Sequence, residues 1–292
     1  MAEPISVAVR RGGTVESVHH VHAVAVRNGE ILEAAGDAAF VTFLRSSAKP
    51  IQALPLARER GDVDDRDLAI ASASHVATEE QLAAVRALLA KAEATEDDLE
   101  CGPYEGSRLN HNCSGKHAGM LALCHSKGWA TQGYGRPEHP CQQAMLAEIA
   151  NAAELDAASM VTAIDGCGVV TVAMPLRTMA HAVSRIERIA GGGAVAGAMR
   201  AHPELMLGPV TLDTELMRAH TGWIAKGGAE ALLCAASPDG LGIALKVEDG
   251  SARALRPALG AFLAQLGLEP GPFGPVELRN SRDDVVGSLE KM

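Results

Sequence analysis

The sequence predicts an α+β protein with a central, mainly antiparallel sheet that is flanked by helices. Alternating β-branched residues mark strands at Ile5–Val9 and Val21–Val26. Residues 222–250 contain a second group of short strands separated by glycine turns, which is typical of an antiparallel meander. Between these two regions, capping signals and apolar periodicity predict helices. Antiparallel strands in both parts of the chain favour the α+β class.

Composition and charge limit the classes of function. The chain has 47% hydrophobic but only 3% aromatic residues, so we expect an aliphatic core of ordinary globular type. The net charge of −10, without a basic run, argues against nucleic acid or an anionic membrane as a partner and favours a small substrate. Six cysteines without a C-x-x-C pair are expected to be reduced thiols, some of them available to a metal.

We expect a cytoplasmic protein that forms one catalytic unit. No signal sequence is recognisable, and no apolar run reaches the roughly 18 residues of a membrane span. The length suits a single unit over residues 1–292, built as one domain or as two intimately packed lobes. No linker or change in composition marks a boundary between lobes.

The first strands are predicted to continue into a hairpin. Asn28-Gly29 is the dipeptide that type I′ turns prefer, and the apolar pair Ile31-Leu32 follows it. The chain therefore opens as antiparallel sheet.

The next segment, Arg45–Pro50, has the chemistry of an activated nucleophile. Ser46 and Lys49 are three residues apart, a spacing that in a helix places two side chains side by side, with Cβ atoms about 5–6 Å apart. Pro50 favours the first turn of a helix, which we predict to extend to about Arg58. A helix N-terminus stabilises an alkoxide and lowers the proton affinity of an amine. A serine beside an amine that can accept its proton is the minimal activated nucleophile.

A second hydroxyl-bearing turn is predicted at Ser74 and His75. The apolar segment that starts at Asp67 ends in these small polar residues, and Thr78–Gln81 then has the form of a capping box for the helix that follows. Ser74 and His75 are therefore predicted to lie on a strand-to-helix connection. Catalytic side chains are often presented on such exposed turns.

Two further segments contain cysteines in unusual surroundings. Cys113 and Lys116 repeat the i, i+3 spacing just before an apolar helix, and either a helix cap with a solvated lysine or a functional pair explains them. Cys167 has a glycine on each side and lies between two predicted strands, Met160–Ile164 and Val169–Val172, which follow a helix from Pro140. Such glycines allow close approach of the backbone, which suits a ligand or a metal more than plain packing.

The last third of the chain adds helices over 180–189, 194–201 and 214–220, and then the strands of 222–250. Lys226 precedes two glycines on a strand and is similar to the K-[ST]-G element that accompanies S-x-x-K in penicillin-recognising enzymes. Lys246 has no flanking glycines, and we assign it to a solvated strand face. A helix from Ala254 and a short strand near Val276 close the chain.

Five of these segments, in order, resemble the rhizobial-type L-asparaginase family, also called thermolabile asparaginase II. The matching pieces are R-S-S-A-K at 45–49, A-S-H at 73–75, N-C-S-G-K-H-x-G-M at 112–120, D-G-C at 165–167 and A-K-G-G-A-E at 225–230. The piece N-C-S-G-K-H is the most specific. The resemblance implies an enzyme that releases aspartate and ammonia from L-asparagine, on a fold related to serine β-lactamases and glutaminases, usually as a homodimer.

The resemblance also implies roles for individual residues. Carried over position by position, the two Ser-Lys pairs are Ser46 with Lys49 and Ser74 with Lys226. The implied substrate-pocket residues are Arg45, Asn112, His117 and Asp165, the last of them beside the metal site. The implied ligands of one zinc ion per chain are Cys113, Lys116 and Cys167.

The chemistry of such a site requires an unusual lysine. Lysine has a reference pKa of about 10.4, so it can act as a base at neutral pH only if burial or a neighbouring cation lowers its pKa. Our hypothesis is that Lys49 deprotonates Ser46, which attacks the side-chain amide; ammonia leaves, and water hydrolyses the β-aspartyl ester. Backbone N–H groups near Ser46 and the second lysine would hold the oxyanion. Zinc would orient the substrate, and the sequence leaves open whether Ser46 or Ser74 is the nucleophile.

Two alternatives remain open. One is another amidohydrolase with an S-x-x-K motif, either a glutaminase or a β-lactam-processing enzyme. Glutamine is difficult to exclude because one methylene in a pocket discriminates by only about 1–3 kcal/mol. The other is a catalytically silent protein that binds zinc or an amino acid. A binding protein has no need of two amines beside two hydroxyls, so the sequence favours an enzyme over this alternative.

Overall fold

The structure is a computed structural model that describes residues 2–292. Its strands are β1 (Ile5–Arg11), β2 (Thr14–Arg27), β3 (Glu30–Ala35), β4 (Val41–Phe43), β5 (Val161–Ile164), β6 (Val170–Pro175), β7 (Ile224–Gly228), β8 (Leu232–Ala236), β9 (Leu241–Val247), β10 (Val276–Arg279) and β11 (Val285–Lys291). Its α-helices are α1 (Lys49–Gln52), α2 (Leu54–Glu59), α3 (Asp65–Ala71), α4 (Glu79–Lys91), α5 (Ser114–Lys127), α6 (Pro140–Ala153), α7 (Leu176–Ser184), α8 (Gly192–Ala201), α9 (Pro203–Met206), α10 (Leu212–Ala219) and α11 (Leu255–Gln265).

The larger of two sheets is organised around β2, the longest strand. The first half of β2 pairs with β1, and its second half pairs with β3 and β9. Across the sheet the order is β10-β11-β1-β2-β9-β8-β7, with β3 beside β2, and the smaller sheet has the order β4-β6-β5. These pairings are antiparallel, which confirms the predicted α+β class with an antiparallel sheet.

The local signals of the sequence explain most of these elements. Asn28 and Gly29 both have positive φ, 52° and 84°, as the type I′ hairpin between β2 and β3 requires. The predicted capping box before α4 is formed, with the Thr78 and Gln81 side chains each accepting from the other's backbone N–H. Gly128 ends α5 in the left-handed conformation, with a φ of 63°.

The core is aliphatic, as the composition predicts. Helix α7 packs on β2, β8 and β9, and α11 packs on β1, β9 and β11. Helix α3 lies among α4, α5 and α8. Within residues 2–292, no helix is both long enough and apolar enough to cross a membrane.

The prediction of a strand-to-helix connection at Ser74 is wrong, because the segment before it is helix α3. The Asp64 side chain accepts from the Asp67 N–H and the Asp67 side chain accepts from the Asp64 N–H, which starts the helix. All of residues 67–71 are buried. A short, wholly apolar run has no polar face, so its periodicity does not distinguish a buried helix from a buried strand.

Two other expectations also fail. The single helix predicted after Arg45 is instead a 3₁₀ turn followed by α1 and α2, since Pro50 and Pro55 start new helical segments. Lys246 is buried, with 5% of its surface exposed, where a solvated face was expected. Its strand β9 lies between β2 and β8, every residue of β9 is buried, and the ammonium donates to the Val247 carbonyl.

Candidate active site

A cavity of about 280 Å³ lies where the 3₁₀ turn Arg45–Ala48, the segment after α3, the first turn of α10 and the edge strand β7 meet. Ser46, Ser74 and Lys226 line this cavity, and so do Asn112 and Asp213. The fold therefore brings together both predicted catalytic serines and one of the predicted lysines from three distant parts of the chain.

The other predicted lysine, Lys49, lies directly behind Ser74. Only 1% of its surface is exposed. Its ammonium donates to the Ser74 hydroxyl over 2.9 Å and to the Ala73 carbonyl over 2.5 Å. Burial is the main reason that the pKa of Lys49 falls to about 8, and Lys116 and Lys226 add to the effect, whereas the Cys113 thiolate opposes it. Lys49 can therefore be neutral in an appreciable fraction of molecules near neutral pH.

The structure thus pairs Lys49 with Ser74, where the i, i+3 spacing pairs it with Ser46. The partner is decided by the tertiary fold, since the 3₁₀ turn that carries Ser46 runs directly into α1 at Lys49 and the end of α3 places Ser74 2.9 Å from the ammonium. The side chain of Lys49 extends inward to the end of α3. There the Ala73 carbonyl accepts a hydrogen bond from the ammonium, which satisfies a carbonyl just beyond the end of α3.

The turn that carries Ser46 is strained and held at several points. Arg45, directly before it, has a φ of 49°, in the left-handed region that non-glycine residues rarely adopt. The Arg45 N–H donates to Thr171 Oγ1 over 3.2 Å, and the Arg45 guanidinium binds Asp165 over 2.8 Å. Ser47 Oγ donates to the Lys226 carbonyl over 2.9 Å, which ties the turn to β7. The position of Ser46 is therefore fixed by both of its neighbours.

Lys226 is held differently from Lys49. Its ammonium donates to the Gly227 carbonyl over 2.8 Å and lies 3.4 Å from a carboxylate oxygen of Asp213. Asp213 is 2% exposed and was not identified in the sequence. A signal was present, since Asp213 shares a helical face with the buried Leu216 and Met217, where a charged residue is unusual.

His75 anchors the Ser74 segment to α5. The Ser114 hydroxyl donates its own hydrogen bond to the Leu109 carbonyl, so the His75 Nε2–H donates to Ser114 Oγ over 2.7 Å. The His75 Nδ1 accepts from the Ala77 N–H over 3.1 Å. Burial, aided by Lys49, lowers the pKa of His75 to about 4. His75 is therefore a neutral, fully hydrogen-bonded support.

The three predicted zinc ligands lie together and are buried. Lys116 Nζ lies 3.1 Å from Cys167 Sγ. A hydrogen bond from the Cys167 thiol holds the pKa of Cys113 well below its usual range, and the ammonium groups of Lys49 and Lys116 act in the same direction. The same contact raises the pKa of Cys167. The sulfurs of Cys167 and Cys113 outweigh burial and raise the pKa of Lys116, so the cluster contains a thiolate, a thiol and an ammonium group.

This donor set fits zinc in its chemistry. Sulfur and nitrogen are the donors that zinc prefers, and two cysteines with one amine leave a fourth position free. In the part of the chain that the structure describes, no three His, Cys, Asp or Glu side chains are grouped to hold a metal. The third donor here is Lys116, which must lose its proton to bind.

The predicted substrate-pocket residues are only partly at the cavity. Asn112 lines it. Arg45 and Asp165 bind each other beside the turn, so the carboxylate is already paired. His117 is fully buried in α5, where its Nδ1 contacts the Tyr134 hydroxyl at 2.8 Å. The fold therefore places His117 in the core, because its position on α5 faces the protein interior.

Close packing of α5 against α3 explains why the most specific motif has a glycine at position 115. A Cβ atom at this position would lie 2.3 Å from the Ile70 carbonyl oxygen and 2.8 Å from Ile70 Cγ1, so α5 can approach α3 closely only with glycine here. This contact sets α3, and the Ser74 segment after it, against the helix that carries Lys116.

We expect Gly115→Ala to destabilise the protein by about 1–3 kcal/mol, because the added methyl overpacks the contact between α3 and α5. The measurement is urea unfolding followed by circular dichroism. Gly197→Ala is the matched control, since its Cβ would meet no atom within 4 Å inside helix α8, and it should stabilise by about 0.5–1 kcal/mol. Equal midpoints for the two variants would contradict the packing argument.

Comparison with known proteins identifies a family. A family model described as L-asparaginase II matches residues 7–290. No curated protein sequence matches the chain.

Solved structures provide a comparison of the fold. The native form of Mglu is 13% identical, with a TM-score of 0.50, and the match covers 86% of this chain but only 65% of the Mglu chain. The probable glutaminase ybaS is 14% identical, with a TM-score of 0.40 and 85% of each chain covered. A β-lactamase from Mycobacterium bovis is 13% identical, with a TM-score of 0.37, 85% of this chain and 95% of that chain covered. Identities this low show similarity of fold alone, and the two lower scores are too small to support an inference.

Proposed function

Because the chain belongs to the L-asparaginase II family, we propose that it hydrolyses the side-chain amide of L-asparagine to L-aspartate and ammonia. The family supports amidohydrolase activity. The observation that supports the finer proposal is the cavity in which Ser46, Ser74 and Lys226 meet, with Lys49 bound to Ser74. Its volume of about 280 Å³ lies near the lower end for small-molecule pockets, which favours a free amino acid over a larger substrate.

Two hydroxyls reach the cavity, and we assign the attack to Ser46. It is half-buried, and the residue before it has the strained backbone that functional sites often store. Ser74 is 5% exposed and its hydroxyl is already bound to Lys49. Ser74 therefore suits the transfer of a proton between Lys49 and the leaving nitrogen.

The proposed reaction has two halves. Ser46 Oγ bonds to the side-chain carbonyl carbon while its proton passes to neutral Lys49, and one N–H group of the Lys226 ammonium holds the oxyanion. The carbon–nitrogen bond then breaks as the proton on Lys49 returns, through Ser74, to the departing ammonia. Water then attacks the resulting ester and passes a proton to Lys49. The bond to Ser46 Oγ breaks as Lys49 returns that proton to Ser46, and aspartate is released.

Cys113, Lys116 and Cys167 would hold zinc beside this cavity, and bound zinc would act as a Lewis acid that orients the substrate. The paired Arg45 and Asp165 would link that site to the Ser46 turn, since Asp165 is two residues from Cys167 and Arg45 is next to Ser46. The catalytic roles of Ser46 and Lys49 are assigned without the metal.

Zinc content provides the next prediction. We expect about one zinc per chain after purification without chelator, measured by mass spectrometry of the metal, and a loss to background in the double variant Cys113→Ser, Cys167→Ser. Cys124→Ser, on the same helix as Lys116, is the control and should keep the metal. Less than about one zinc per several chains, with full activity, would remove the metal from the proposal.

The substrate proposal is tested by ammonia release from L-asparagine and L-glutamine at equal concentration, with nitrocefin hydrolysis measured beside them. We expect kcat/KM for asparagine to exceed that for glutamine by about 10–200-fold, which is the discrimination that one methylene supports. Turnover of nitrocefin, or faster turnover of glutamine, would favour the corresponding alternative enzyme. Thermal stabilisation by asparagine without ammonia release would favour a silent binding protein.

We also propose a homodimer, which is supported by the family resemblance. Light scattering after size-exclusion chromatography measures the mass directly, and a mass near twice 30.3 kDa is expected.

A further inference from the structure

We propose that Asp213 is a positioning residue that keeps Lys226 in its charged form, so that the two active-site lysines have opposite tasks. Lys49 exchanges protons, and Lys226 supplies a permanent positive charge. The use of that charge in catalysis rests on the proposed function, but the charge itself does not.

The contacts of Lys226 support this division. The carboxylate of Asp213 lies 3.4 Å from its ammonium, and both residues are 2% exposed. The same carboxylate oxygen accepts from the Gly227 N–H over 2.9 Å, which holds the carboxylate in place along β7. A buried ion pair of this kind strongly favours the charged forms of both partners over one charge left alone.

The surroundings are shaped to admit this carboxylate. A Cβ atom at Gly227 would lie 3.0 Å from Asp213 Oδ1, so the glycine after Lys226 leaves room for it. Asp213 also lies in the first turn of α10, where the helix dipole stabilises negative charge. A Cβ at Gly228 would instead lie 3.0 Å from both the Leu44 carbonyl and Ser47 Oγ. The first glycine of the A-K-G-G segment therefore leaves room for the carboxylate, and the second leaves room for the Ser46 turn.

Lys49 has a different set of neighbours. It binds a hydroxyl and a carbonyl, Ser74 Oγ and Ala73 O, neither of which carries a full charge. Burial therefore favours its neutral form. One lysine with a carboxylate and one without are suited to a cation and a base, respectively.

Other titratable groups near Lys226 do not replace Asp213. Lys49 on α1 supplies no negative charge, and burial raises the pKa of Cys234 on β8 to about 12, so that thiol stays neutral. The remaining charged side chains on the adjoining helices have other partners: Glu215 binds Arg256, Arg218 binds Glu204, and Arg200 binds Glu187. Asp213 is thus the carboxylate that balances the lysine.

Lys226 lines the cavity, and its ammonium uses two of its three N–H groups on Gly227 and Asp213. The third N–H is available to the negative charge that develops on the substrate. A preorganised donor of this kind is typically worth about 10²–10³ in kcat.

The first test measures charge without relying on activity. The protein is labelled with [ε-¹³C]lysine and titrated by NMR, and the Lys226 signal is assigned by its absence in Lys226→Arg. We expect Lys226 to lose its proton at a lower pH in Asp213→Asn than in the parent, while the surface residue Lys291 titrates alike in both and Asp213→Glu restores the parent behaviour. The same titration of Lys226 in parent and Asp213→Asn would overturn the proposal, whether or not the protein is an asparaginase.

The second test uses the pH dependence of ammonia release. Asp213→Asn should lower kcat by about 10²-fold near pH 8, with KM little changed, and this deficit should shrink as the pH falls because Lys226 regains its proton. Asp213→Glu should recover most of the rate, and thermal unfolding confirms that both variants are folded. A deficit that is constant across pH would indicate a merely structural residue and would overturn the proposal. An inert parent enzyme would refute the proposed function and leave the NMR result to decide on Asp213.

Discussion

Replacing Ser46 by alanine is expected to lower kcat for asparagine hydrolysis by about 10⁴-fold or more, because removal of a nucleophile leaves only the contribution of binding and oxyanion stabilisation. The side chain is half-buried at the cavity wall, so its loss should change the stability little. Ammonia release by parent and variant, at matched concentration and over a long enough time to detect the residual rate, provides the measurement.

Two controls make the result specific to the nucleophile. Ser126→Ala removes a hydroxyl that donates to the Ala122 carbonyl of the same helix, and it should retain full activity. Ser74→Ala should also be slow, so the rates of the variants do not by themselves identify the nucleophile. When the parent enzyme is quenched with acid during turnover, the aspartyl ester should be found on the peptide that contains Ser46. An ester on the Ser74 peptide, or an active Ser46→Ala variant, would mean that the roles of the two serines are exchanged.

The second large effect is expected at Lys49. Lys49→Met should lower kcat/KM by about 10³–10⁴-fold, since the methylene stem is kept and only the amine that exchanges protons is removed. Lys246→Met is the matched control, because Lys246 is also a buried lysine but binds the Val247 carbonyl in the sheet. Comparable losses in the two variants would point to general destabilisation and not to catalysis.

The pH dependence follows from the same residue. A base must be neutral, and the pKa of Lys49 is lowered to about 8. The kcat/KM of the parent should therefore rise about tenfold per pH unit below pH 8 and level off above it. An arginine stays protonated over this range, so Lys49→Arg should be slow at every pH. A parent profile that is flat between pH 6 and pH 9 would mean that Lys49 is not the base.

The sequence was informative where the chemistry is local. The cluster of Cys113 with Lys116 and the strand patterns each depend on a few neighbouring residues, and most strands and helices form close to the predicted positions. The family resemblance grouped residues that lie far apart in the sequence and that spacing could not connect. Cys167 is an example, since it is 51 residues from Lys116 and the fold brings its sulfur to 3.1 Å from the Lys116 nitrogen.

The failures share a physical cause, which is that tertiary contacts decide what a buried residue does. The spacing pairs Lys49 with Ser46, but the fold brings Ser74, from the end of α3, within 2.9 Å of the Lys49 ammonium. His117 is at a motif position but faces the core. Asp213 has no recognisable motif, although its place on an apolar helical face was a usable signal. The role of such a residue depends on the residue that it contacts in the fold, and this contact cannot be identified from the sequence alone.

The large sheet has a consequence for how the molecule is made. Strand β1 is flanked by β2 on one side and by β11 on the other, in a register that joins Val7 to Lys291. During synthesis on the ribosome, one edge of β1 therefore stays unpaired until β11 has emerged. Pairings between distant segments form slowly, and unpaired strand edges favour aggregation. We expect soluble yield to depend on slow synthesis at low temperature, with the sheet closing as one of the last steps.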